Sequence, residues 1–430
     1  MTKQRRIVGG LIPAALMLVS MAAPMLASCS RSEPRPEPHP TRIVLIVVDT
    51  LRRDHVSAYG GTVATPNVDR LAADGQLFTN AISSFHQTTM SMASMFTGRT
   101  PSIESVTRKL PLHWNGRTWC GLARFAPQTD EASCVPRSLP TMAERMGDAG
   151  YHTIGIASNE LLFRPAGFER GFDEWFEIGT PLSDSVVDYK AAERARAARY
   201  VNQKVRDALD ARPDGATFLY VHYMDAHDWD LHGSYTEAVG ALDVGIGRLL
   251  DDLAEQSFLD DAVVVLTADH GESLGERHPV PVQLGHLGNP SYEQVLQVPL
   301  IVMPAVLENS SRLVRSQDIA DLLLEIAGIE STSIGDLDSD ELYLSEVAYQ
   351  TYRRGRWKST VSRKDERFLL FDLEADPGET QDVATWNPTV AREHMRRIGE
   401  LAKSLATTEA PPAVLSEADA QRLRQLGYLE

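Results

Sequence analysis

Two carboxylates and an imidazole stand where a metal ion could be gripped. Asp49 terminates the apolar run Ile43 to Val48, and Asp269-His270-Gly271 follows a second such run, Val263 to Thr267. In an open α/β sheet, ligands collect beyond the carboxyl ends of the strands. A lone Asp there is commonly a turn former or helix cap. Two of them, one with an adjacent His, are a donor set suited to a divalent cation. A hydroxyl cluster is the other chemically capable feature. The run from Thr88 to Phe96, closed by Gly98, predicts a helix with Thr88 at its N-terminus. The positive end of a helix favours an alkoxide and an incoming anionic ester. Thr88 or Thr89 also suits a helix N-cap, and Thr89 and Ser91 are the neighbouring hydroxyls that could take the nucleophile's place.

Positioning these groups requires a sheet, and the sequence supplies one. Ile43 to Val48, His152 to Ala157, Thr217 to Val221, Val263 to Thr267 and Leu300 to Met303 are short β-branched runs. Their near-continuous apolarity suits strands covered on both faces. Helical patterns lie between them. Thr65-Pro66 opens one that ends before Gly75, with Pro at the first helical position. Val239, Leu242, Ile246, Leu249, Leu250 and Leu253 line one face of a longer helix. Ile319, Leu322, Leu323 and Ile326 line another, stopped at Gly328. Alternating strands and helices predict an α/β fold with a mostly parallel central sheet flanked by helices. From about Asp336 short mixed segments follow (Tyr343 to Val347, Trp357 to Val361, Phe368 to Leu373), then a helix from Pro388 to about Leu405. They predict a small antiparallel C-terminal subdomain over residues 336–409, after a main domain over 42–335. Residues 410–430 form an arm with a short helix.

The chain has 430 residues, 43% of them hydrophobic, enough for a large core. Its net charge of −17 argues against nucleic acid as a partner. Residues 1–29 read as an export signal: Lys3, Arg5 and Arg6 precede an apolar run, Ile7 to Met21, too short and Gly-interrupted for a membrane span. Leu26-Ala27-Ser28-Cys29 resembles a bacterial lipobox, in which the cysteine becomes the lipidated N-terminus; the alternative is an ordinary cleaved signal. The Pro-rich residues 30–41 then form a tether, giving an exported lipoprotein held to a membrane by its lipid, facing the periplasm or the cell surface. Cys120 and Cys134 suit a disulfide in an exported chain, with two buried thiols as the alternative.

Several ordered blocks resemble the sulfatase-like family of the alkaline phosphatase superfamily. They are Val47-Val48-Asp49-Thr50-Leu51-Arg52-Arg53-Asp54-His55, Thr65-Pro66-Asn67-Val68-Asp69-Arg70-Leu71-Ala72, Thr267-Ala268-Asp269-His270-Gly271-Glu272, Tyr292 to Leu300, and Asp372-Leu373-Glu374-Ala375-Asp376-Pro377-Gly378-Glu379. The similarity spans about Arg42 to Val383. It implies one divalent metal on Asp49, Asp269 and His270, with the nucleophile as a further ligand. The segment Thr88 to Arg99 resembles the family's nucleophile segment, with Thr88 where sulfatases carry a cysteine matured to formylglycine. Met92 stands where they have an arginine, Met90 where they usually have a proline, and Thr50 where many have a second acid. The resemblance also marks His227, in Asp225-Ala226-His227, and His286, in Gly285-His286-Leu287-Gly288-Asn289, as substrate-facing or leaving-group residues. His278 is a weaker candidate, and His222, His232 and Asp230 are supporting residues.

A formylglycine hydrate can expel sulfate by C–O cleavage through its second hydroxyl, and a threonine ester cannot. Its release needs a second attack at phosphorus or sulfur. The sequence therefore predicts a metal-dependent hydrolase of phosphate mono- or diesters, with sulfate esters secondary, acting through a Thr88-bound intermediate. Thr88, His227 and His286 are its catalytic residues. A donor set with one imidazole favours zinc or manganese over calcium or magnesium. The alternatives are a transferase passing a phosphoryl-alcohol group to an envelope glycan or lipid, and a catalytically silent glycan-binding lipoprotein.

Overall fold

The strand Arg42–Val48 buries six consecutive residues, Ile43 to Val48, because sheet neighbours flank it on both edges and both its faces lie in the hydrophobic core. A computed structural model describes residues 39–100, 135, 139–179, 196–286, 290–330, 337–346 and 348–404, and the short strands Leu112–His113 and Thr118–Trp119. Residues 1–38, Cys29 among them, lie outside the described residues, as do Cys120, Cys134 and the arm 410–430. Among the described residues no helix is long and apolar enough to cross a membrane.

Arg42–Val48 sits in the middle of a seven-stranded sheet. The order is Gln76–Leu77, Leu300–Met303, Ala262–Ala268, Arg42–Val48, Thr217–Tyr223, His152–Ala157, Glu174–Glu177. The last five are mutually parallel, and Leu300–Met303 runs antiparallel to Ala262–Ala268. The mostly parallel α/β sandwich expected from the apolar runs is the fold found. His152–Ala157 and Leu300–Met303 match their predicted bounds, and the other three strands extend by one or two residues.

Register decides where the chemistry goes. Val48 lies opposite Ala268 on one side and Tyr223 on the other. Asp49 and Asp269, each the next residue along, therefore leave the sheet side by side at its carboxyl edge. Ile156 lies opposite Val221, so the chain after Ala157 reaches the same edge two residues later, at Asn159. Behind the sheet the helix Tyr235–Glu255 buries Val239, Leu242, Ile246, Leu249 and Leu253, the predicted stripe. Its Asp243 accepts hydrogen bonds from the backbone N–H groups of Asn67 and Val68 (3.1 and 2.9 Å) and so caps the helix Pro66–Ala73 from outside.

The C-terminal sheet has four antiparallel strands, Glu341–Ser345, Tyr349–Arg354, Trp357–Ser362 and Phe368–Asp372, with the helix Pro388–Ser404 packed on it. The second strand, Tyr-Gln-Thr-Tyr-Arg-Arg, carries too few aliphatic residues to be read from the sequence. A buried ionic cluster docks this sheet on the main unit. Lys358, fully buried, lies 3.1 Å from Glu293 and 2.9 Å from Glu379, and Arg353 reaches Glu293 at 3.0 Å. Glu293 opens the short helix Glu293–Leu296, which lies against the Asp269-His270-Gly271 turn: the Gly271 N–H donates to Val295 O at 2.9 Å.

Candidate active site

Thr88 begins the helix Thr88–Thr97, after Gln87 at the N-cap, and Gly98 ends it in the left-handed region at φ 71°. That conformation carries a side-chain penalty which glycine avoids. Every residue from Thr88 to Phe96 is buried, so the helix threads the protein interior and delivers its positive N-terminal end to the carboxyl edge of the sheet. Ser91 Oγ donates to Asp269 O at 2.6 Å, fixing the helix to the second metal-type loop.

The structure brings Thr88, Asp49, Asp269 and His270 together. Thr88 Oγ1 lies 3.4 Å from Asp49 Oδ2 and 3.4 Å from His270 Nε2. His270 Nε2 is 3.4 Å from Asp269 Oδ2 and 3.9 Å from Asp49 Oδ1. One ligand atom from each of Asp49, Asp269 and His270 falls within a 4.8 Å cluster, and all three side chains are fully buried.

This donor set fits a divalent cation on three grounds. Asp49 Oδ1 and Asp269 Oδ2 are buried with no hydrogen-bond partner among the described residues, which a cation would remedy. His270 Nδ1, 2.9 Å from Gly271 O, donates there, so the Nε2 lone pair faces the carboxylates. The charges also need a counter-ion. Burial pushes the Asp49 carboxyl up, but His227, His270, His222 and the Asn159 amide outweigh it and hold the pKa at about 2. Burial and the charge of Asp49 drive Asp269 well above the ordinary carboxylate range. Two such carboxylates ionise together only beside a positive charge.

The turn after Asp49 is built to that end. Thr50 takes a positive φ of 59°, uncommon for a β-branched residue. Its N–H donates to Asp269 Oδ1 at 3.1 Å, and Tyr235 OH donates to its carbonyl at 2.6 Å. The strained residue thus ties one carboxylate loop to the other. Its Oγ1 is buried without a partner among the described residues, at the position where many sulfatases have a second acid.

Three further imidazoles surround the cluster. The His286 ring lies tilted against two others, 4.4 Å between ring centroids from His270 and 5.8 Å from His227, and its Nδ1 is 3.3 Å from Glu272 Oε1. His227 keeps 14% of its side chain exposed, so it can meet a substrate. Burial would lower its pKa, but the hydrogen bond to Asp228 and the fields of Asp49 and Asp228 raise it to about 9, making it an imidazolium at neutral pH. His222, 3.8 Å from Asp49, is held by burial at about 4 and stays neutral.

His278 lies elsewhere. It stacks on Tyr292 at 3.8 Å, its Nε2 meets the Gln294 amide at 2.6 Å, and it lines the joint with the C-terminal sheet. Asp230 is exposed on the turn after His227. Sequence reasoning missed Asn159, whose amide donates to Asp49 Oδ2 at 2.8 Å while its carbonyl accepts from Leu161 N at 2.9 Å. It also missed Asp228 and Glu272, the carboxylates that orient His227 and His286. Asn159 lies two residues beyond a predicted strand, the same placement that singled out Asp269, and that signal could have found it.

A sulfatase family model matches residues 41–329. Human N-acetylgalactosamine-6-sulfatase is 26% identical over 277 residues, covering 55% of this chain and 51% of the relative. Choline-sulfatase of Rhizobium meliloti (strain 1021) is 28% identical over 173 residues, 35% of this chain and 32% of the relative. The chain thus spans about half the length, or less, of these curated relatives. Among solved structures, a 2-O GAG sulfatase aligns with a TM-score of 0.65 at 14% identity, over 86% of this chain and 93% of the other. The phosphonate monoester hydrolase of Agrobacterium radiobacter aligns with a TM-score of 0.58 at 16% identity, over 88% and 98%. At these identities the solved structures establish the shared fold.

Proposed function

This chain belongs to the sulfatase family of ester hydrolases, and from that premise we propose that it cleaves phosphate mono- or diesters through a covalent ester on Thr88, with sulfate esters as lesser substrates. The observation that carries this reading is the Thr88 hydroxyl, 3.4 Å from both Asp49 and His270 at the buried N-terminus of its helix. Asp49, Asp269, His270 and Thr88 would hold one divalent cation, zinc or manganese by their donor types. When bound, the cation supplies charge that lowers the hydroxyl pKa and neutralises an anionic ester.

The residues of the chain divide the remaining work. Thr88 Oγ1 attacks phosphorus, an O–P bond forms, and the bond to the departing alcohol breaks. Asp49 is ionised and takes up the hydroxyl proton directly or through water. His227, an imidazolium at neutral pH, gives its proton to the departing oxygen. Water then attacks phosphorus and returns a proton to His227 while the bond to Thr88 breaks, and the departing Thr88 oxygen takes back its proton from Asp49. In this reading the first-turn backbone N–H groups of the helix and His286 would contact the non-bridging oxygens. Formylglycine chemistry is not open to a threonine, which has no second hydroxyl to expel the anion by C–O cleavage.

The test is a panel of nitrophenyl phosphate, phosphate diester, phosphonate and sulfate esters assayed with zinc, manganese and calcium, alongside Thr88→Ala. The reading expects phosphate ester turnover above sulfate turnover and its loss in Thr88→Ala with the metal still bound. Sulfate turnover equal to or above phosphate turnover, or a fully active Thr88→Ala, would overturn it. An alcohol acceptor in place of water, from an envelope glycan or lipid, would show as product transfer in the same assay. Export and lipidation at Cys29 belong to the same proposal, and Cys29→Ser should abolish palmitate labelling of the expressed chain; labelling that persists would refute it.

A further inference from the structure

The chemistry proposed above uses His227 but gives no task to the three charged side chains behind it. Arg196, Asp228 and Glu160 expose only 1%, 4% and 7% of their side chains. Burying such groups costs several kcal/mol each before pairing, and apolar residues of similar volume often give an equal or more stable core. Stability alone therefore does not account for them.

Their geometry is specific. The Arg196 guanidinium forks onto Asp228, Nε to Oδ2 at 2.7 Å and Nη2 to Oδ1 at 2.6 Å, while Nη1 donates to Glu160 Oε2 at 2.7 Å. The same Asp228 Oδ1 lies 3.1 Å from His227 Nδ1. A planar fork fixes the carboxylate plane as a single charge on a flexible stem would not. With Nδ1 committed to Asp228, the proton that His227 can deliver is on Nε2, across the ring. The neighbouring rings run from His227 to His286 to His270, towards the metal-type cluster. Glu160, at the far end of the fork, directly follows Asn159, whose amide holds Asp49. One buried network thus ties the imidazole on the leaving-group side to the carboxylate on the nucleophile side.

The geometry points to Arg196 as a positioning residue that acts through Asp228: it locks His227 with Nδ1 bonded inward and Nε2 directed at the departing oxygen, which lets the enzyme cleave esters of poor leaving groups. As the bond to the leaving group breaks, the Nε2 proton moves to the departing oxygen and His227 becomes neutral, still donating from Nδ1 to Asp228. The attacking water then restores the Nε2 proton. Arg196 and Asp228 exchange no proton. The inference rests on the ester-cleavage reading but not on phosphorus.

The experiment compares nitrophenyl esters, which depart unaided, with phenyl esters, which need a proton, in wild type, His227→Gln, Asp228→Asn and Arg196→Lys. We expect kcat/KM on the phenyl ester, which reports only the steps up to departure of the alcohol, to fall about 100-fold in His227→Gln and Asp228→Asn, with a smaller fall in Arg196→Lys and a lesser loss on the nitrophenyl ester in each variant. A structural role would lower turnover of both esters together. Equal losses on both esters, or none, in the Asp228 and Arg196 variants would overturn the inference. Should either variant fail to fold, His227→Gln still decides, because an unchanged ratio there removes the proton donor the clamp is said to aim. If sulfate esters prove the better substrates, the same pair is run as aryl sulfates, so a failed phosphate preference and a failed clamp give separate results.

Discussion

Gly271→Ala tests whether the backbone behind the metal-type cluster is as tightly seated as the structure shows. A Cβ at Gly271 would lie 2.1 Å from the carbonyl oxygen of Gln294, where real Cβ atoms keep at least 3.0 Å. The two backbones must therefore part by about 0.9 Å. Neither is free to yield: Gly271 N–H is bonded to Val295 O, and the helix behind Gln294 is pinned through Glu293 to Arg353 and Lys358. The displacement passes to His270, which is bonded to Gly271 covalently and through its ring Nδ1. Loosening the support of a metal-ligating histidine typically weakens metal affinity by about 10- to 100-fold, and misplacing a reacting group by about 1 Å costs about 100-fold in rate. Competition against a chromogenic chelator reads the first, kcat at saturating zinc or manganese the second, and circular dichroism shows that the variant is folded. A folded Gly271→Ala protein with undiminished metal affinity and kcat would refute the reasoning.

Two further predictions concern stability. Lys358→Met removes the cation that the buried carboxylates of Glu293 and Glu379 share; urea unfolding should show a loss of about 3–5 kcal/mol, and adding Glu379→Gln should recover part of it. Glu346, 3.6 Å from buried His86, is pushed by burial up to about 8 while burial holds His86 at about 3, so both are neutral in the folded protein at neutral pH. The folded chain therefore keeps a proton on Glu346 that the unfolded chain releases above its ordinary value of 4.5. This group stabilises fully below that value and less as pH rises towards about 8, by at most about 1.4 kcal/mol per pH unit. Glu346→Gln should flatten that slope in urea unfolding between about pH 6.5, above which His86 no longer contributes its opposite slope, and about pH 8, and a variant as pH-sensitive as the parent there would contradict it.

The legible parts of the fold were those set by local pattern. Ile43 to Val48 and Val263 to Thr267 are almost wholly apolar because both faces of those strands are covered, and the first residues beyond each are where a parallel sheet presents its ligands. The helix from Thr88 announced its end through Gly98. What the sequence hid depends on partners distant in the chain. Tyr349–Arg354 is polar because its arginines face Glu293, Glu341 and Asp340 rather than an apolar layer. Lys358 looks like a surface residue until Glu293 and Glu379 close over it. Asn159 shares a strand-end placement with the two carboxylates, but its bond to Asp49 follows only from the parallel register of His152–Ala157, and Arg196, with no local mark of function, reaches the site only through Asp228. His278 shows the converse: its neighbours in sequence suggested a substrate contact, and Tyr292 instead claims its ring.

In the proposed reaction Thr88 is the group that takes the ester. Rapid acid quench of the metal-loaded enzyme turning over a phosphate ester, followed by peptide mass spectrometry, reads this directly. The predicted result is a phosphoryl adduct on Thr88, formed within the first turnover and absent in Thr88→Ala. An adduct on Thr89 or Ser91, or full turnover with Thr88 unmodified, would contradict it.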